Sequence, residues 1–178
     1  MNVIIVHGRA DNKKDNPAGH WIPWIKKRLY EKRIDAFIPL MPKPWVPNYK
    51  NWKKEFDKLT VNEDSILVGH SAGGAFLVRW LGEAEKKISK LILIAPWKVA
   101  ESKDEKEFYD YEINRNVKNN VKEIILFTSD DEEDGKRSVK IFNKALDGEI
   151  IELENYGHFT LEDMGTEEFP ELLDKILE

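Results

Sequence analysis

Short runs of apolar residues alternate along the chain with longer stretches in which apolar residues recur at helical spacing. Continuous apolar runs of this kind are typical of strands buried in a parallel sheet. The predicted strands cover residues 3–6, 34–40, 65–68, 91–95, 121–128 and 149–153. The predicted helices cover residues 20–32, 51–59, 72–81, 138–146 and 169–177, with a short helix inside 98–120. This alternation predicts an α/β fold, a three-layer α/β/α sandwich with about six mostly parallel strands.

The composition indicates a globular chain without cysteine chemistry. The 178 residues contain no linker and no internal repeat, so we expect a single domain over residues 1–178. The lack of cysteine excludes disulfides and thiolate catalysis. A formal net charge of −5 disfavours a nucleic-acid partner. Because the sequence has neither an apolar run of about 18 residues nor a secretory leader, we expect no membrane span and a cytoplasmic location.

One motif lies between a predicted strand and a predicted helix. The segment Gly69-His70-Ser71-Ala72-Gly73 matches G-x-S-x-G in the setting where this motif forms a nucleophile elbow, a sharp strand-to-helix turn. Glycines at both ends would let the strand and the helix approach closely. The chain lacks the glycine patterns of nucleotide-binding loops. We therefore predict that Ser71 is a catalytic nucleophile.

A nucleophilic serine needs a base to accept its proton and a carboxylate to orient that base. His158 follows the last predicted strand, and Asp130 and Asp131 follow the fifth, which gives the chain order serine, acid, histidine. A calcium loop that starts at Asp130 is excluded because Ile141 occupies the position where glutamate is required. The spacing predicts His158 as the base and leaves Asp130 and Asp131 as alternative acids.

Other groups near the predicted strand ends could complete a catalytic site. The backbone N–H groups of Ala72 and of the loop at Gly8 and Arg9 are expected to form an oxyanion hole. The candidates for the substrate pocket are His7, His70, Trp97 and Trp45. His7 could instead position the loop at Gly8, and His70 could be a packing residue.

Several segments together resemble the YdeN-type small serine hydrolases of the α/β-hydrolase superfamily, which include retinoblastoma-binding protein 9. Residues 19–24 are similar to the His/Gly-Trp-x-x-Trp stretch of that family, 41–44 to its Met-Pro-x-Pro loop, and 129–131 to its Ser-x-Asp-Asp turn. The resemblance covers essentially the whole chain. It implies a minimal α/β-hydrolase fold with no separate lid domain, and it implies that Asp131 is the triad acid. Glu132 departs from the family, in which proline usually follows the acid.

These features predict a carboxylesterase-like serine hydrolase that cleaves a small acyl ester or amide through an acyl-enzyme. The predicted triad is Ser71, His158 and Asp131, and peptidase or amidase activity fits the same mechanism. We expect no metal or organic cofactor and a small acyl molecule as the substrate. The alternative is a non-catalytic module that binds a protein partner on the same fold.

Overall fold

The computed structural model describes residues 1–100 and 102–178. Its centre is a six-stranded sheet in the order β2-β1-β3-β4-β5-β6, in which every neighbouring pair is parallel. The strands are β1 (Asn2–Val6), β2 (Asp35–Phe37), β3 (Ser65–His70), β4 (Ile88–Ile94), β5 (Val121–Thr128) and β6 (Glu149–Glu152). The sheet confirms the predicted α/β architecture and is parallel throughout.

Helices follow the strands and cover the sheet. The helices are α1 (Ile22–Glu31), α2 (Tyr49–Phe56), α3 (Ala72–Ala84), α4 (Lys106–Tyr109), α5 (Val117–Asn120), α6 (Glu133–Leu146), α7 (Leu161–Met164) and α8 (Pro170–Leu177). No helix in the described part of the chain is both long enough and apolar enough to cross a bilayer.

Two apolar clusters, one on each face of the sheet, make the sandwich three layers thick. One cluster joins α2, α3 and α6 to side chains of the central strands. The other joins α1 and α8 to the opposite side chains of the same strands. Successive side chains of a strand point to opposite faces, so strands buried on both faces must be apolar at nearly every position. This explains why β3, for example, is buried along its whole length.

Most elements differ from their predicted bounds by one to five residues, and the difference at one helix matters for the site. The strand β2 ends at Phe37, because its pairing with β1 stops at the register Ile4 to Phe37. Helix α6 begins at Glu133 rather than at residue 138. Acidic residues in its first turn complement the positive end of the helix dipole, and the chain before them is extended at Glu132. As a result, Asp131 lies directly before the N-terminus of a helix.

The strand order brings the loops that follow β1 and β3 to the same end of the sheet. The chain passes from β1 outward to β2 and then returns to β3 on the other side of β1. Ligands in open α/β sheets bind at such a switch point, beyond the C-terminal ends of the strands. The loop at Gly8 follows β1 and Ser71 follows β3, so both lie at this point.

Candidate active site

Ser71 occupies a strained turn between β3 and α3. Its backbone has φ 51° and ψ −117°, a conformation that non-glycine residues rarely adopt and that concentrates at functional sites. The flanking glycines permit the turn because neighbouring chain lies very close. A Cβ on Gly73 would be 2.2 Å from the carbonyl oxygen of Val6, and a Cβ on Gly69 would be 2.7 Å from Cα of Gly74. The G-x-S-x-G pattern is therefore a steric requirement of this turn.

His158 lies within hydrogen-bonding distance of both other residues of the predicted triad. His158 Nδ1 is 2.7 Å from Asp131 Oδ2, and His158 Nε2 is 2.9 Å from Ser71 Oγ. An ionised carboxylate only accepts hydrogen bonds, so Nδ1 carries the proton of the neutral imidazole. Nε2 then has a free lone pair and accepts a hydrogen bond from the Ser71 hydroxyl. This arrangement can move a proton away from the serine oxygen.

Asp131 is nearly buried and its carboxylate is fixed from both sides. It is 9 % exposed, and its Oδ1 accepts a hydrogen bond from the backbone N–H of Glu132 at 2.8 Å. A Cβ on Gly135 would lie 2.1 Å from Oδ2. The first turn of α6 therefore needs glycine at position 135, because any side chain there would displace the carboxylate from His158.

The carboxylate of Asp130, the alternative acid, makes hydrogen bonds to other groups. Its Oδ1 accepts hydrogen bonds from Ser129 Oγ at 2.6 Å and from the backbone N–H groups of Tyr156 and Gly157, both at 3.2 Å. These bonds, that of Ser129 first, lower the pKa of Asp130 to about 2. Asp130 thus ties the loop after β5 to the loop that carries His158. The structure brings Asp131, not Asp130, to the imidazole.

The contacts of Asp130 predict an acid-dependent contribution to stability. A carboxyl whose pKa is lower in the folded state stabilises the fold in full above its unfolded-state pKa, near 3.8, and loses this effect as the pH falls through about 2. We expect Asp130→Asn to unfold at a lower urea concentration than the wild type at pH 5. The gap should narrow as the pH falls from about 4 to about 2, because the wild-type carboxyl becomes protonated over this range and loses the charge that these hydrogen bonds stabilise.

Urea midpoints by circular dichroism at a series of pH values test this expectation. The matched control is Asp174→Asn, which removes the same charge from an exposed position on α8. A gap for Asp130→Asn that stays constant down to pH 2, or one that matches the control at every pH, would contradict the role assigned to this carboxylate.

The predicted oxyanion loop lies against Ser71, the predicted nucleophile. A Cβ on Gly8 would be 3.1 Å from Cβ of Ser71, closer than most Cβ contacts, so the chain at Gly8 passes close to the serine. Ala72 is the first residue of α3, where backbone N–H groups have no partner inside the helix. The side chain of Arg9 forms an ion pair with Glu105. This leaves the backbone around Arg9, rather than its guanidinium, as the part of the residue that can serve the predicted role.

A cleft of about 720 Å³ opens over Ser71. Of the predicted site residues, it is lined by Gly8, Arg9, His70, Ser71, Trp97 and His158. Trp97 is 7 % exposed and meets the His158 ring edge-on, with 5.5 Å between the ring centroids. Trp97 therefore forms the wall beside His158, the predicted base.

His7 and Trp45 are not among the residues that line this cleft, which corrects their assignment to the pocket. His7 is buried, donates from Nδ1 to the carbonyl oxygen of Gly8 at 2.8 Å and accepts the backbone N–H of Met41 at 3.0 Å. It therefore positions the loop at Gly8, which was the alternative expectation. Trp45 lies in the loop after β2, where its ring faces Lys13.

Several residues that line the cleft are not among the predicted site residues, and His20 and Tyr109 are two of them. His20 precedes α1 and accepts the backbone N–H of Leu161 on its Nδ1 at 3.0 Å. Tyr109 comes from the segment between β4 and β5 and is 2 % exposed. No local pattern marks either residue as part of a site, because each reaches the cleft only through the packing of a distant segment.

Among the described residues, no three histidine or acidic side chains are grouped so that they could hold a metal ion. The groups gathered at the cleft are a hydroxyl, an imidazole and a carboxylate in sequence, with backbone N–H groups beside the hydroxyl. Their chemistry is that of proton transfer and nucleophilic attack.

Known proteins resemble this chain over most of its length. The family model for serine hydrolases matches residues 3–177. The Bacillus subtilis protein YdeN is 27 % identical over 181 residues, covering 97 % of this chain and 92 % of YdeN. The crystal structure of the B. subtilis ydeN gene product superposes with a TM-score of 0.85 at 25 % identity, over 99 % of this chain and 96 % of that one.

More distant structures share the fold. Est1E from Butyrivibrio proteoclasticus, solved with ferulic acid bound, superposes with a TM-score of 0.64 at 14 % identity, over 100 % of this chain and 90 % of that one. A YdeN-like protein from Pectobacterium atrosepticum superposes with a TM-score of 0.69 at 15 % identity, over 98 % and 89 % of the two chains. By the family match and the fold together, the chain belongs to the serine hydrolase family, as an α/β-hydrolase of the YdeN type.

Proposed function

We propose that this protein is a carboxylesterase-like hydrolase that cleaves a small acyl ester through a covalent acyl-enzyme on Ser71. The observation that carries the proposal is the chain of contacts from Ser71 Oγ through His158 to Asp131, at 2.9 and 2.7 Å. Hydrogen-bonded contact of a nucleophile, a base and an acid that orients the base is the recurring geometry of acyl-transfer sites.

The first half of the reaction forms the acyl-enzyme. Ser71 Oγ attacks the carbonyl carbon of the ester while His158 Nε2 takes the hydroxyl proton. The negative charge that develops on the carbonyl oxygen is stabilised by the backbone N–H groups of Ala72 and of the loop at Arg9, each such donor being worth about 10²- to 10³-fold in rate. His158 then gives its proton to the departing alkoxide, and the acyl group remains on Ser71.

The second half returns the enzyme to its starting state. A water molecule gives a proton to His158 Nε2 and attacks the acyl carbon. The tetrahedral intermediate collapses, the bond to Ser71 breaks, and the proton on His158 passes to the serine oxygen. Asp131 stays ionised throughout and stabilises the imidazolium that forms twice in each cycle. Its near burial and its bond to the Glu132 N–H keep it in place for this role.

The size of the cleft supports a small-molecule ester as the substrate. The segment between β4 and β5 contributes two four-residue helices among its described residues, and Tyr109 from this segment forms part of the cleft wall. A volume of about 720 Å³, shared between the acyl and alcohol parts of an ester, lies within the range of small-molecule pockets. The wall formed by Trp97 and Tyr109 supplies the apolar surface for them.

A fluorophosphonate probe tests the proposal directly. The probe should phosphonylate the native protein at one residue, in the peptide that contains Ser71, because only an activated serine beside an oxyanion hole reacts quickly. Heat-unfolded protein is the control and should not be labelled. Turnover of p-nitrophenyl esters from acetate to decanoate should be fastest at the short end. A native protein that neither reacts with the probe nor cleaves any of these esters would contradict the proposal and would favour the alternative of a protein-binding module.

A further inference from the structure

His70 is a buried histidine that the proposed mechanism does not use. It is the last residue of β3, directly before Ser71, and it is 3 % exposed. Its Nε2 lies 2.8 Å from the main-chain carbonyl oxygen of His158. The residue that carries the proposed base is thus bonded, through its own backbone, to the residue that precedes the proposed nucleophile.

The hydrogen bond fixes the protonation pattern of His70. A carbonyl oxygen only accepts, so Nε2 carries the proton and donates it. Burial, followed by the neighbouring His158, holds the pKa of His70 well below its usual value, so the ring is neutral and Nδ1 carries no proton. Nδ1 is buried without a hydrogen-bond partner among the described residues and faces the loop at Gly8, where a Cβ would lie 3.3 Å away. The neutral ring of His70 therefore lies between the loop that carries His158 and the loop at Gly8.

Hydrogen bonds hold the loop that carries His158 at several points, and each bond joins it to a different part of the chain. Asp163 Oδ2 accepts the backbone N–H of His158 at 2.9 Å, within the loop itself. Asp130 holds the loop to the end of β5, and His20 holds Leu161 to the chain before α1. His70 differs from these because it joins the loop to the strand that ends at the nucleophile.

We propose that His70 is a positioning residue for the proposed hydrolysis, which sets the separation of His158 from Ser71 by holding the His158 carbonyl with its Nε2–H. The inference rests on the proposed function. The side chains of the base and the nucleophile could each turn away if the two backbones moved apart, and misplacement of reacting groups by about 1 Å can lower a rate about 100-fold. A single hydrogen bond from the residue beside Ser71 opposes that movement.

The neutral state of His70 also suits the reaction. The His158 ring becomes positively charged twice in each cycle, and the centroids of the two rings are 5.4 Å apart. A second positive charge at this distance in a buried site would oppose imidazolium formation. A neutral imidazole supplies the donor without that penalty, which a lysine or arginine in the same place would not do.

The test compares two replacements that separate hydrogen bonding from packing. His70→Gln keeps an uncharged N–H donor at nearly the position of Nε2, whereas His70→Leu has a suitable volume and no donor. With p-nitrophenyl acetate we expect His70→Gln to keep kcat within about threefold of the wild type, and His70→Leu to lower kcat about 10- to 100-fold with little change in KM, the size expected for misplaced reacting groups. If His70 only packs, the apolar leucine should be the better replacement, so kcat for His70→Leu equal to or above that of His70→Gln overturns the proposal.

Amide hydrogen exchange of residues 156–161 gives a second readout that needs no activity. Exchange should accelerate in His70→Leu and stay near the wild-type rate in His70→Gln, and the reverse order overturns the proposal. His7→Leu is the matched control, since it removes a buried, bonded histidine that holds a different loop, and it should destabilise the fold without loosening residues 156–161. His70→Met replaces His70→Leu if the latter does not fold. If fluorophosphonate fails to label the wild type, the proposed function fails, whereas the exchange order still decides the role of His70.

Discussion

Ser71→Ala is expected to lower kcat for p-nitrophenyl acetate roughly 10⁶-fold, the loss that accompanies removal of a nucleophile from a triad that acts as a unit. The alanine removes the only atom of residue 71 that can attack the ester, while the strained turn with φ 51° is kept, because alanine fits wherever the serine backbone fits. Substrate binding should change little, since the hydroxyl is a small part of the cleft surface. Initial rates at saturating ester, with protein concentration set by absorbance, measure the effect.

A second serine, at the other end of β3, provides the matched control. Ser65 begins β3, is fully buried, and its Oγ donates to Asn2 Oδ1 at 2.7 Å and accepts the backbone N–H of Asn62 at 2.9 Å. Ser65→Ala therefore removes a buried hydroxyl at the opposite end of the strand and should lower the melting temperature with kcat unchanged. If Ser71→Ala, free of wild-type contamination, keeps more than a hundredth of the wild-type kcat, Ser71 is not the nucleophile. That residual activity would far exceed the activity left after the expected loss of roughly 10⁶-fold.

Asp131→Asn is expected to lower kcat about 10⁴-fold, whereas Asp130→Asn should lower it less than about tenfold. The N–H of an amide at position 131 can donate a hydrogen bond to His158 Nδ1, which favours the tautomer with its hydrogen on Nε2 and removes the lone pair that accepts the Ser71 proton. An amide at position 130 still offers an oxygen to Ser129 Oγ and to the backbone N–H groups of Tyr156 and Gly157. The two changes remove the same charge from adjacent residues, so each serves as the control for the other.

Asp131→Asn and the variants at Asp130 should also differ in how their activity responds to further changes. Raising the pH should not restore Asp131→Asn, because its defect is the tautomer of His158 and not a missing proton. Asp130→Ala, which has no acceptor, should lose more activity than Asp130→Asn, because the loop at Tyr156 then loses its tie to β5. A larger loss in Asp130→Asn than in Asp131→Asn would reverse the assignment of the acid.

Much of the architecture followed from patterns that local physics imposes. Strands buried on both faces must be apolar without interruption, which made β3, β4 and β5 visible in the sequence. The elbow was equally visible, because Gly69 and Gly73 are required by contacts too close for any side chain. The weakest prediction of an element concerned α6, whose first turn is made of charged residues and a glycine and therefore resembles a loop.

The spacing of residues in the sequence could not decide between Asp130 and Asp131 as the triad acid. Both carboxylates follow β5 and both lie next to the loop that carries His158, so strand order alone treated them equally. The fold separates them because adjacent residues in an extended segment point in different directions. Asp131 turns inward against Gly135 and His158, and Asp130 turns outward to the backbone of Tyr156 and Gly157.

By itself the sequence determined the order of strands and helices, the glycine-bounded turn at Ser71, and the strand ends from which Ser71, Asp131 and His158 come, because each of these depends on residues that are neighbours in the chain. Only the tertiary structure decided that His20 and Tyr109 line the cleft, that His7 and Trp45 do not, and that His70 holds the backbone of His158. These facts depend on contacts between residues as far apart as 70 and 158, and no local pattern records which distant side chain completes such a contact.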